Sequence, residues 1–133
     1  MPTDATETHC IVHKNGTVTC MARVVGADGS AITQTDIDEA EYSIYLLDDQ
    51  DPDSLTAVDE HEEVSLTVSD VVYDTLQTDD IWTKDSTGFN FKYTVDIGTN
   101  AAFTVAGRKY QIRFKLTPDS GQVIIVRFQP SVI

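Results

Sequence analysis

The sequence predicts an all-β fold, an antiparallel sandwich of about seven strands in a single domain. Three observations carry this. Apolar residues recur with a period of two rather than 3.6. Turn signals separate the alternating runs: Asn15-Gly16, Ala27-Asp28-Gly29, Ser86-Thr87-Gly88, Ala106-Gly107 and Pro118-Asp119-Ser120-Gly121. A length of 133 residues, 41% of them hydrophobic, suits one core and not two.

The elements follow in chain order. A short run at residues 8–13 is the first strand. Residues 17–24 form the second, with Val18, Cys20, Ala22 and Val24 on one face. Residues 33–40 break the alternation and read as a short helical turn capped by Thr33 or Thr35. Tyr42, Ile44 and Leu46 then share one face of a strand, and Val64, Leu66 and Val68 one face of the next. A second helical turn is expected at residues 69–76, capped by Ser69 or Asp70, with Val72 and Leu76 facing inward. Residues 89–95 show the clearest alternation. In residues 110–116, Tyr110, Ile112, Phe114 and Leu116 share the inner face while Arg113 and Lys115 take the outer. Ile124, Val126 and Phe128 close the series. Each run is a half-buried strand with one wet face. Their number is that of an immunoglobulin-like sandwich. Trp82 reads as a core or inter-sheet residue, and Tyr110 as a candidate for the corner hydrogen bond of such folds.

Cys10 and Cys20 flank the first turn. A two-residue Asn15-Gly16 turn would place them on opposite faces. A three-residue loop, Lys14-Asn15-Gly16 with Gly16 left-handed, pairs Val12 with Val18 and Cys10 with Cys20 on one apolar face. Burial selects that register. It leaves two states open for Cys10 and Cys20, a cross-strand disulfide or two buried thiols.

Charge is the second strong signal. The chain has 9 Lys+Arg against 22 Asp+Glu, a formal net charge of −13. That argues against a nucleic-acid or anionic-membrane surface, both of which need Lys/Arg stripes. The first segment, residues 1–7, is polar and acidic and reads neither as a secretory leader nor as a membrane span. It has little to pack and is expected to serve as an arm toward a neighbouring subunit, residues 8–133 forming the domain. No Lys or Arg lies between Arg23 and Lys84. Residues 97–133 reverse the balance: Arg108, Lys109, Arg113, Lys115 and Arg127 stand against Asp119 alone. These five cations form the candidate interface. Three readings of the asymmetry stay open: a solvated acidic surface, oriented docking on neighbours, and adaptation to high salt.

Candidate chemistry is sparse. Asp49-Gln50-Asp51-Pro52-Asp53 followed by Glu60 places oxygen ligands at positions one, three, five and twelve of a calcium loop. Asp49, Asp51, Asp53 and Glu60 are therefore the candidate calcium ligands. Ser54 stands where such a loop has Gly, Pro52 stiffens the backbone and the flanks are strands, which favours a solvated loop with no cofactor. His9, His13 and His61 lack the spacing of a zinc site and are expected at surfaces or edges. No nucleophile elbow, Walker loop, zinc-protease motif or dinucleotide fingerprint occurs, so no catalytic residue is named and enzyme activity is not expected.

Several segments together resemble small immunoglobulin-like proteins encoded among the structural genes of tailed bacteriophages and related prophages. They are Gly16-Thr17-Val18-Thr19 leading into Ala22-Arg23-Val24-Val25-Gly26-Ala27-Asp28-Gly29-Ser30, Ile32-Thr33-Gln34-Thr35-Asp36-Ile37 before Tyr42-Ser43-Ile44-Tyr45, Trp82 with Asp85-Ser86-Thr87-Gly88-Phe89-Asn90-Phe91, and Gly107-Arg108-Lys109-Tyr110 with Leu116-Thr117-Pro118-Asp119-Ser120-Gly121-Gln122. The resemblance spans residues 16–128 and consists of turn and strand signatures. It implies a non-enzymatic virion component of head, neck or tail. Its partners would be other virion proteins and copies of itself. The competing expectation is a host-surface or glycan-binding sandwich module, calcium-assisted if the Asp49–Glu60 loop binds metal.

Overall fold

Two β-sheets pack face to face. The computed structural model describes residues 8–26, 29–48, 50, 54–78, 86–95, 97–98, 100–119 and 122–133, with residues 8–10 as backbone only. Among the described residues nine strands alternate with little helix: β1 (Thr8–Val12), β2 (Thr19–Ala22), β3 (Ile37–Leu47), β4 (Leu55–Ala57), β5 (Val64–Leu66), β6 (Val72–Gln77), β7 (Phe89–Thr94), β8 (Tyr110–Pro118) and β9 (Ile124–Val132). The large sheet runs β1-β9-β8-β3, with β4 and β5 both paired to the far edge of β3; the small sheet runs β2-β7-β6. The protein is an all-β sandwich, as its period-two pattern predicts.

The core is the inner face of both sheets. Ile112, Phe114 and Leu116 of β8 are fully buried, and so is Phe91 of β7. Phe114 sits at the centre. Its ring lies 4.7 Å from Phe91 and 5.9 Å from Tyr93 in the small sheet, and 5.7 Å from Phe128 and 6.2 Å from Tyr42 in its own. Most of these contacts are edge-to-face, the favoured arrangement of aromatic quadrupoles. Tyr110 is buried at the start of β8, edge-on to Phe103.

The expected hairpin of the first two strands does not form. β1 runs parallel to β9, with Cys10 in register with Pro130. β2 runs antiparallel to β7, with Cys20 in register with Tyr93. The two strands belong to different sheets, so Cys10 and Cys20 are not cross-strand neighbours, and Cys20 is buried. The turn itself exists: Gly16 N donates to His13 O, but the left-handed residue is Asn15 (φ 61°) rather than Gly16. Lys14 N then donates to Ile133 O, and Asn15 N to Phe103 O, carrying the chain across the end of the sandwich. Alternation told correctly that Val12 and Cys20 are buried. It could not tell that they reach the core from opposite sheets.

Both helical turns are present but short. Gln34–Asp36 is a 3-10 turn; Thr33 and Asp36 form a reciprocal capping box, with Thr33 N donating to Asp36 Oδ2 at 3.0 Å. The second turn is α1 (Val68–Val71), after which the chain is already strand. Val72 is buried as expected, whereas Leu76 is 38% exposed, because the register of β6 against β7 shifts between Val72 and Gln77 and even spacing no longer keeps both on one face.

Two positions let the loops of the small sheet close. Gly88 has φ +104°, and a Cβ there would fall 2.4 Å from Gln77 O, so only glycine allows β6 and β7 this approach. Asn90, 1% exposed, replaces a missing backbone strand: its Oδ1 accepts from Val24 N at 2.7 Å, and its Nδ2 donates to Val24 O at 2.9 Å and Ile32 O at 3.3 Å. Asn90→Asp keeps the acceptor but turns the donor into a second oxygen facing two buried carbonyls. Urea denaturation is expected to show a loss of about 3 kcal/mol or more, larger than for Asn90→Ala, with the Val24 amide exchanging faster in both.

Candidate functional site

The inner residues of β8 determine what the outer face carries. With Ile112, Phe114 and Leu116 committed to the core, Gln111, Arg113 and Lys115 face outward. On β9 the same alternation buries Ile124, Phe128 and Val132 and turns out Ile125, Arg127, Gln129 and Ser131. Antiparallel pairing then places Arg113 directly opposite Arg127, and Lys115 opposite Ile125. On the other side, Glu41, Ser43 and Tyr45 of β3 stand opposite Lys115, Arg113 and Gln111.

The face is therefore basic at its centre. The Arg113 guanidinium lies over the Tyr45 ring, 5.1 Å from its centroid, and its Nη2 donates to Gln111 Oε1 at 2.8 Å. Lys115 makes a long ion pair of 3.7 Å with Glu41, half-exposed and weak. Arg113 and Arg127 face each other as like charges, and the Nε of each is buried without a hydrogen-bond partner among the described residues. Like charges directly opposite on a sheet destabilise it, and a buried unpaired donor adds its own cost. At the rim, Ile11 is 69% and Ile133 58% exposed.

Of the five predicted interface cations, Arg113, Lys115 and Arg127 gather here. Arg108 does structural work instead: its Nη2 donates to Leu47 O at 2.8 Å and closes the end of the sheet. Lys109 is exposed at that same end, bridged to Ser131. Tyr45 and Gln111, which hold Arg113 in place, were not singled out by sequence; their position on the wet face of two recognised strands was the available signal.

A second feature lies on the β3 edge of the same sheet. Between β4 and β5 the chain makes a tight turn, residues 58–63, that exposes Asp59, Glu60, Glu62 and Glu63. Glu60 (φ 66°) and Glu63 (φ 53°) are left-handed, an unfavourable conformation for non-glycine residues. The turn is held by His61, which is 2% exposed and not at the surface as the sequence suggested. The His61 ring bridges Tyr42 Oη (2.8 Å to Nδ1) and Asn100 O (2.8 Å from Nε2). Asn100 O only accepts, so Nε2 carries a hydrogen. Backbone bonds from Val58 N to Ile44 O, Ile44 N to His61 O and His61 N to Val58 O complete the anchor, and Glu63 N donates to Ser43 Oγ at 2.9 Å. The result is a rigid acidic knuckle, and a polar histidine inside an acidic loop carried no periodicity that would have revealed its burial.

Of the candidate calcium ligands, Asp49, Asp51 and Asp53 lie outside the described residues, as do Trp82 and the arm at residues 1–7. Glu60 belongs to the knuckle. Among the described residues no group of three or more His, Cys, Asp or Glu is arranged to hold a metal ion, and no helix is long and apolar enough to cross a membrane. An open groove of about 210 Å³ between β5, α1 and β7 is lined by Leu66, Thr67, Asp70, Tyr73, Lys92 and Tyr93. No family model, curated protein or solved structure matches the chain.

Three stability outcomes follow from these geometries. Arg127→Glu converts a like-charge pair into an opposite one and is expected to raise the unfolding free energy by about 0.5 kcal/mol, seen as a higher urea midpoint at unchanged m-value. His61→Ala leaves Tyr42 Oη and Asn100 O without their partner and should cost about 3 kcal/mol. Glu60→Gly, at a left-handed position, should stay within about 1 kcal/mol of wild type by the same measurement.

Proposed function

We propose that this chain is a non-enzymatic structural subunit of a tailed-bacteriophage particle, an immunoglobulin-like sandwich that docks on other subunits through the outer face of its large sheet. Strand order supports the fold assignment. β9-β8-β3, with β4 and β5 beside β3, corresponds to the G-F-C-C′ sheet of a variable-type domain, and β2-β7-β6 corresponds to B-E-D. The first strand lies against G rather than B. The resemblance of residues 16–128 to small virion-encoded sandwiches supplies the biological setting.

The observation that carries the docking role is the Arg113–Arg127 pair. Its like charges oppose each other across the sheet, so the isolated subunit bears a cost that a carboxylate from a partner would relieve. Tyr45 beneath Arg113 and the exposed Ile11 and Ile133 at the rim add the aromatic, arginine and aliphatic character of interface centres.

Purified particles, analysed by mass spectrometry, are expected to contain the wild-type chain in many copies. Arg127→Glu, folded and at least as stable in isolation, is expected to be missing or strongly depleted. Particles that lack the wild-type chain, or that retain the variant at full occupancy, would overturn the proposal.

A further inference from the structure

We infer that the occupant of the basic face is the acidic knuckle of a second copy of this chain, so that subunits associate head to tail. The inference rests on the docking role proposed above and names its partner. The two surfaces are complementary in charge. One presents Arg113, Arg127 and Lys115; the other presents Asp59, Glu60, Glu62 and Glu63, all exposed. They are also different surfaces of one molecule. The basic residues lie on β8 and β9, whereas the knuckle projects from the outer edge of β3. Two copies joined by one knuckle on one face leave the other knuckle and the other face free. Each copy offers a knuckle to one neighbour and a face to the other, which generates a ring or an open filament.

The knuckle is built to be presented. Two left-handed glutamates would relax in a free loop, but His61, pinned between Tyr42 and Asn100, and the Ser43 hydroxyl on Glu63 N hold them in place. A preorganised set of carboxylates loses little entropy on docking. It meets the Arg113 guanidinium, already oriented by Tyr45 and Gln111. The formal charge of −13 per chain opposes contact at long range. Screening over about 8 Å at physiological ionic strength removes most of that repulsion and leaves the partly buried contact. Association is therefore expected to be strongest at intermediate salt and weaker both below and above it.

Complementation of two variants tests this directly. Sedimentation velocity on the wild-type chain should show concentration-dependent oligomers. Arg127→Glu damages only the face, and Glu60→Gly/Glu62→Lys/Glu63→Gly damages only the knuckle. Each alone should weaken association about tenfold or more, while an equimolar mixture should yield a discrete dimer, joined by the intact knuckle of the first and the intact face of the second. A wild-type chain that stays monomeric at all salt concentrations, or a knuckle variant that associates as wild type does, overturns the inference. If Arg127→Glu is nonetheless depleted from particles, the docking role survives and the carboxylates come from a different subunit. Retention of Arg127→Glu in particles removes the docking role itself.

Discussion

The register of β8 against β9 and β3 is the constraint on which the molecule depends, and Phe114 is what holds it. Its ring touches aromatic rings from both sheets, so a slip of one residue would turn Phe114 to solvent and bring Arg113 and Lys115 into the core. No such slip is affordable in a domain whose net stability is on the order of 10 kcal/mol. Everything on the outer face follows from that choice. Once Ile112, Phe114 and Leu116 are inside and Phe128 is inside opposite Ile112, Arg113 and Arg127 must meet across the sheet. Packing does not require either of them to be arginine.

Buried polar groups elsewhere are treated differently. Asn90 has both ends of its amide engaged, and His61 has both ring nitrogens engaged. Each fastens a loop where a strand is missing: Asn90 ties residues 24 and 32 together beside the small sheet, and His61 anchors the turn that splits β4 from β5 beside the large one. Satisfied in this way, a polar core residue adds specificity at small cost. The arginine Nε atoms on the outer face stand in contrast, buried yet lacking partners.

The sequence was legible wherever one face of a strand is wet. The inner sets of β3, β7, β8 and β9 follow from alternation alone, and so does the outward placement of Arg113 and Lys115. Pairing partners were not legible. Val12 and Cys20 share a core, and the hairpin register inferred from that shared burial fails because burial constrains a face and not a neighbour. Strand β4 is fully exposed and short, so it left no apolar signature. Spacing of four puts Val72 and Leu76 on one face of a helix or of a regular strand alike, and the register shift in β6 that exposes Leu76 left no mark in the sequence. His61 was invisible for a related reason: its burial depends on Tyr42 and Asn100, 19 and 39 residues away.

Net charge and surface organisation have to be separated in reading such a chain. An excess of 13 negative charges opposes the approach of copies at long range whatever their surfaces look like. What decides association is the arrangement within a Debye length of the contact. Here the acids near the sheet are concentrated at its β3 edge and the cations two strands away, on opposite sides of the Tyr45 and Ser43 column. An even distribution of the same residues would give the same net charge and no orientation. Because face and edge belong to one sheet, a knuckle laid on the arginines of a neighbour extends the same surface outward, and each added copy exposes a fresh knuckle at its far edge. A polar assembly therefore needs no surface beyond the two this sheet already carries.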